Sequence, residues 1–138
     1  LGRFRASELC QRVGISQAKH TQWAAKGVCR PIHRDERADR ADAVELVVAA
    51  QLMEAIRDID KVRRAMTSLG AREVKAGGNL AVVWDEELES ASFMSSDREI
   101  GAHVRHGRPV RVIPVGPKLL QVLDSLERLA SDRRTYGD

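Results

Sequence analysis

The N-terminal third of this 138-residue chain is punctuated in a way that leaves it few choices. Leu9, Cys10 and Val13 fall on one face of a helical run over residues 6–13. Gly14 interrupts it where a left-handed backbone is commonly needed. Ser16 then offers an N-cap, predicting a second helix from Gln17 to about Lys26, stopped by Gly27. Pro31 keeps the chain from re-entering that helix. Two short helices joined by a tight glycine turn are the expected result.

The residue types on the second helix point to a ligand. With Leu9, Val13, Ile15 and Trp23 turned inward and Cys10 at the helix crossing, the outward residues are Gln17, Ala18, Thr21, Gln22 and Ala25. Gln can bridge adenine in a major groove, Thr can bond a base edge or touch a thymine methyl, and Ala can touch that methyl. Lys19 and Lys26 suit phosphates. Charge agrees. Residues 1–40 hold nine Lys and Arg against four acids, net +5, while residues 81–138 hold eight against ten, net −2. A basic first third predicts an anionic partner for that part of the chain.

Further along, residues 28–40 read as a polar, Arg-rich connection. A strong helix is expected from Ala41 to Arg57, apolar over most of its circumference and so buried on more than one side. Asp58 can cap the next helix, striped by Ile59, Val62, Met66 and Leu69 and ended by Gly70. Residues 70–79, with Gly70, Gly77 and Gly78, read as a linker. Leu80–Trp84, Ser90–Met94 and Val110–Val115 are expected strands. Ser96-Asp97-Arg98-Glu99 matches a capping box, predicting a short helix to His106, although alternation of Ile100, Ala102 and Val104 permits a strand. Gly116-Pro117 opens a last helix striped by Leu119, Val122, Leu123, Leu126 and Leu129.

The stretch ASELCQRVGISQAKHTQWAAKGVCRP resembles the N-terminal module of MerR-family winged-helix regulators. Gly27-Val28-Cys29-Arg30-Pro31 stands at that module's Gly-Leu-Leu-x-Pro feature, and Arg34, Arg37 and Arg40 stand in its wing. The likeness covers residues 3–69. The family's Arg-Tyr-Tyr stretch is here Thr21-Gln22-Trp23, its Gly-Tyr-Arg wing is not visible, and its long dimerising helix is replaced. The C-terminal half faintly resembles the tails of VapB-like antitoxins, and phage excisionases share the N-terminal module.

The expected fold is therefore mainly α with a small α+β C-terminal part. Residues 1–69 form a winged helix-turn-helix with trailing helices, 70–79 a linker, and 80–138 a small α/β region for association or partner binding. The resemblance implies a sequence-specific double-stranded DNA-binding regulator. Ser16, Gln17, Ala18, Lys19, Thr21 and Gln22 would enter the major groove, with Arg30, Arg34, Arg37 and Arg40 as the wing. One such module binds weakly alone, so a homodimer is expected, through the Val44–Ile56 helix and the C-terminal region. The alternative is a DNA-binding antitoxin whose residues 80–138 wrap a toxin or another protein, or an excisionase-like DNA architectural factor. A fragment ending near Lys75 is expected to keep weak DNA binding.

Other chemistry is weaker. Cys10, His20, Cys29 and His33 invite zinc, yet Cys10 and His20 stand where the helix pair needs packing, so no metal or other cofactor is expected. Glu99, His103 and His106 fit a solvated helix face, and Glu86, Glu87 and Glu89 a hairpin tip. Nucleophile elbow, P-loop and dinucleotide fingerprint are all missing, so catalysis is not expected. The longest apolar run, Leu46–Ala50, is far short of the roughly 18 residues of a membrane helix. Two cysteines and a charged first decade lead to a cytoplasmic, nucleoid-associated expectation.

Overall fold

A computed structural model describes residues 4–95, 101 and 109–136. It is a mixed α+β structure; among the described residues, five α-helices pack with one three-stranded antiparallel sheet.

The order is α1 (Ala6–Val13), α2 (Gln17–Ala25), α3 (Arg40–Ile56), α4 (Ile59–Leu69), a 3-10 turn (Ala71–Glu73), β1 (Ala81–Asp85), β2 (Ser90–Met94), β3 (Val110–Pro114) and α5 (Gly116–Tyr136). The region expected as a short helix to His106 lies, apart from Gly101, outside the described residues.

Local chemistry explains most boundaries. Gly14 ends α1 in the left-handed region at φ 92°, and Gly27 follows α2 at φ 80°. The Ser16 hydroxyl accepts the Lys19 amide at 3.0 Å, which satisfies one of the free N–H groups opening α2. Helix α3 opens with a reciprocal cap: Asp39 accepts the Asp42 amide at 3.0 Å, and the Asp42 carboxylate accepts the Asp39 amide at 2.9 Å. Arg57 closes α3 at φ 60°, and Asp58 caps α4 by accepting the amides of Asp60 and Lys61.

Helix α3 is the centre of the molecule. Ala43, Val44, Leu46, Val47, Val48, Ala49 and Leu52 are all fully or almost fully buried. They are covered by this chain's own elements: α1, α4, α5, the 3-10 turn and β3 all pack on α3. The all-round apolar character that had pointed to a second chain is thus largely satisfied within one, with Ala50, Met53, Ala55 and Ile56 in the C-terminal part of α3 left partly exposed.

In the sheet, β1 is central, between β2 and β3. Val82 pairs with Phe93 and Ile113, and Trp84 with Ala91 and Arg111, so one sheet face gathers Val82, Trp84, Ala91 and Ile113 into the core. The β2 side meets α4, where the Ala91 amide donates to the Ser68 hydroxyl at 3.0 Å. The β1–β2 turn carries Glu86, paired with Lys61, and Glu89, paired with Arg64 at 2.7 Å, which ties the hairpin tip to α4.

One continuous apolar core runs from Phe4 and Leu9 through α3 and Trp84 to Leu119, Val122 and Leu126. The residues expected to link two regions take part in it. Ala71 is buried, and Arg72 forms ion pairs with α3. Farther on, the Gly77-Gly78 turn lies so close to the start of α5 that a Cβ on Gly116 would sit 2.2 Å from the Gly77 carbonyl oxygen.

Candidate nucleic-acid interface

Helix α2 divides into two faces. His20 and Trp23 are buried, while Gln17, Ala18, Lys19, Thr21 and Gln22 are exposed, as is the capping Ser16. The exposed row presents two carboxamides, one ammonium and two methyl-bearing side chains. Thr21 donates its hydroxyl proton to the Gln17 carbonyl at 3.0 Å. It therefore presents a methyl group and hydroxyl lone pairs outward rather than a donor.

Beyond α2 the chain leaves through Val28 and Cys29, both buried, and makes an exposed excursion over residues 31–37. It returns at Ala38, which bridges antiparallel to Phe4 with reciprocal backbone bonds of 2.9 and 2.7 Å. The two flanks of the excursion are thereby fixed beside the start of α1. The tip faces a groove of about 680 Å³, where Arg5 and Ser7 from the α1 entry and Gln17 from α2 meet His33, Arg34 and Arg37. Asp35 and Glu36 also line it. Among the described residues neither Arg34 nor Arg37 is in an ion pair, so their charges remain available to an outside anion.

Three residues singled out in the sequence, Gln17, Arg34 and Arg37, therefore converge on one groove. Lys19 and Gln22 line a separate hollow, shared with Arg57 at the α3–α4 corner. Ala18 and Thr21 lie on the exposed face of α2. Arg30 and Arg40 are elsewhere. Arg40 lines a cleft with Leu120, Asp124 and Glu127 of α5. The Arg30 guanidinium is committed to the protein's own carboxylates, donating to Asp42 from Nε at 2.9 Å and Nη2 at 3.1 Å, and to Glu36 from Nη1 at 2.9 Å. Those bonds, Asp42's first and Glu36's second, raise its proton affinity further.

Arg5 and Ser7 were not among the site residues expected from the sequence. Arg5 had one local signal, Glu8 three positions on, whose carboxylate accepts the Arg5 amide at 2.9 Å and opens α1. The same carboxylate is paired with Arg133 of α5. Burial opposes ionisation of Glu8, but the bonds from Arg133 and the Arg5 amide outweigh it and hold the carboxyl below its ordinary range.

The thiols and the His20 imidazole behave as packing groups, whereas His33 is exposed. Cys10 and Cys29 are buried and free, and burial raises both thiols, Cys29 to about 12 with help from Glu45, Cys10 and Asp42. Such thiols stay protonated and are poor nucleophiles. Burial also lowers His20, against the opposing pull of the Arg30 backbone and the Asp42 and Glu45 carboxylates, and favours its neutral form. No group of three or more potential metal ligands occurs among the described residues. His103 and His106 lie outside the described residues, as does Glu99. No described helix is long and apolar enough to cross a membrane.

No protein-family model and no curated protein matches this chain, and the groove's own geometry is what carries a functional reading.

Proposed function

We propose that this chain is a sequence-specific double-stranded DNA-binding protein, a transcriptional regulator acting at the nucleoid, in which α1 and α2 form a helix-turn-helix and residues 28–38 its wing. The observation that carries the reading is the shared groove. Gln17, at the start of α2, faces the same opening as Arg5, Arg34 and Arg37, and a carboxamide beside three guanidiniums supports a reading of base and phosphate contact.

On this reading the start of α2 enters the major groove. Gln17 and Gln22 bridge adenines, Ala18 and the Thr21 methyl contact thymine methyls, and Lys19 takes a phosphate. Arg34 and Arg37 take the flanking backbone or minor groove. Arg30 contributes as a support of the wing, and Arg40, beside Asp124 and Glu127, stands outside the interface. Two chains read two half-sites, and their association rests on surfaces other than the buried faces of α3. The C-terminal half builds the same core as the N-terminal half, which favours a free-standing regulator over an antitoxin tail ordered only by its toxin.

The test is selection of binding sequences from a randomised duplex pool, repeated with Gln17→Ala and Gln22→Ala. Each variant is expected to relax the preference at its own base by about 1–3 kcal/mol, with melting temperature nearly unchanged. Enrichment of no sequence by the full chain, or an unchanged preference in both variants, overturns the reading.

A further inference from the structure

The carboxylate of Asp42 is 2% exposed, yet it carries four donors. Oδ1 accepts Arg30 Nε at 2.9 Å and Arg72 Nη1 at 2.6 Å; Oδ2 accepts Arg30 Nη2 at 3.1 Å and the Asp39 amide at 2.9 Å. Both oxygens are then fully used. Arg30 continues the series outward by donating to Glu36, between Arg34 and Arg37 at the wing tip, at 2.9 Å. Its backbone amide is held by Glu45 at 2.7 Å. Arg72 also lies 3.6 Å from Glu45 and 3.8 Å from Asp39. It lines the cleft behind the wing together with Glu36 and Arg37.

We propose that Arg72 is a positioning residue for the wing: from the turn after α4 it completes the series Arg72–Asp42–Arg30–Glu36 and so holds Arg34 and Arg37 toward DNA. Its purpose rests on the DNA-binding reading above, whereas the hydrogen bonds themselves do not. Charge supplies the physical reason. Four carboxylates, Glu36, Asp39, Asp42 and Glu45, face two guanidiniums here. Without Arg72 the four share Arg30 alone. Asp42 is buried and fixed in the α3 cap, so its unmet charge draws Arg30 inward and weakens the outermost bond of the series, from Arg30 Nη1 to the more exposed Glu36. The wing tip is then tied less firmly to the body of the protein, and a less compensated carboxylate is left beside the expected phosphate path. Arg72 itself touches no DNA. Its backbone is anchored by buried Ala71.

Two measurements on the full-length chain decide it. The first needs no DNA: amide order parameters of residues 33–37 by nuclear relaxation in the unaltered protein, Arg72→Ala and Arg72→Lys. The alanine variant is expected to loosen those residues to values below about 0.6, typical of flexible backbone, while α2 stays rigid. The lysine variant, which restores charge, is expected to recover most of the order. Unchanged order in Arg72→Ala overturns the proposal.

The second measurement is a double-mutant cycle on affinity for the selected duplex. Arg72→Ala is expected to weaken binding about tenfold, as for the cost of re-ordering a loop on association. In the Arg34→Ala/Arg37→Ala background it is expected to cost less than about threefold, because its route to DNA is gone. Equal losses in both backgrounds assign Arg72 a general structural role and overturn the proposal. If the unaltered chain binds no duplex, the DNA reading fails, while the relaxation measurement still decides whether Arg72 orders the 33–37 segment. Should Arg72→Ala fail to fold, Arg72→Lys and Arg72→Gln carry both measurements.

Discussion

Ending the chain after Lys75 removes β1, β2, β3 and α5, and the structure says what that costs. Leu119 and Leu126 on α5 are fully buried and Val122 is 1% exposed, in a helix that packs on α3 and α1. Fully burying a Val or Leu side chain stabilises by about 1.5–3 kcal/mol, so these three contribute about 4.5–9 kcal/mol before residual structure in the unfolded chain is allowed for. Trp84, Val82 and Ile113 leave the same core as well. A domain of this size has only about 5–15 kcal/mol in total. The fragment 1–75 is therefore expected to be unfolded, in contrast to the weak but intact DNA binding the sequence had led us to expect of it. Thermal melting by circular dichroism should show no cooperative transition, and an amide proton–nitrogen spectrum should collapse to narrow dispersion. A cooperative melt with native-like dispersion would refute the shared core and restore two separable domains.

Gly116→Ala is expected to cost about 1–3 kcal/mol, since the added Cβ would lie 2.2 Å from the Gly77 carbonyl oxygen, whereas Gly77→Ala meets nothing within 4 Å and should differ little in melting temperature. Acid should destabilise the protein in two stages. His20 is held below its ordinary 6.5, so the unfolded chain takes up that proton first and stability begins to fall as pH drops below that value. A second loss follows below the ordinary carboxylate values of 4.5 and 3.8. Glu8 and Asp42 are both held low there: burial opposes ionisation, but the arginine and amide bonds outweigh it. Denaturant melts across pH should show both stages, and His20→Gln should remove the upper one only.

The parts of this molecule that were legible in sequence are those decided within a few residues. Gly14, Ser16, Gly27, Asp58 and Gly70 each act on their immediate neighbours, and α1 and the capped ends of α2 and α4 follow from them. Periodicity shows that a face is buried without showing what buries it. The apolar circumference of Val44–Ile56 therefore read as room for a second chain, when α4, α5 and β3 of the same chain cover most of it. Arg30 illustrates the same gap for charge. The resemblance put it in the wing, but its partners stand six, twelve and fifteen residues away, and only the fold brings them together. Arg72 was hidden by its glycine-rich surroundings, which read as a tether. Gly77 and Gly78 in fact allow the chain to pass against Gly116, and Arg72 reaches back to α3.

The central claim is that the groove between α2 and residues 31–37 binds the phosphate backbone and base edges of duplex DNA. Affinity for a selected duplex, measured against salt concentration for the unaltered chain and for Arg34→Ala/Arg37→Ala, tests it most directly. The logarithm of affinity should fall linearly with the logarithm of salt, and the double variant should bind all sequences more weakly with a slope shallower by about 2, one for each phosphate contact removed. Binding that ignores ionic strength, or a slope the double variant leaves unchanged, would contradict the assignment of that groove to DNA.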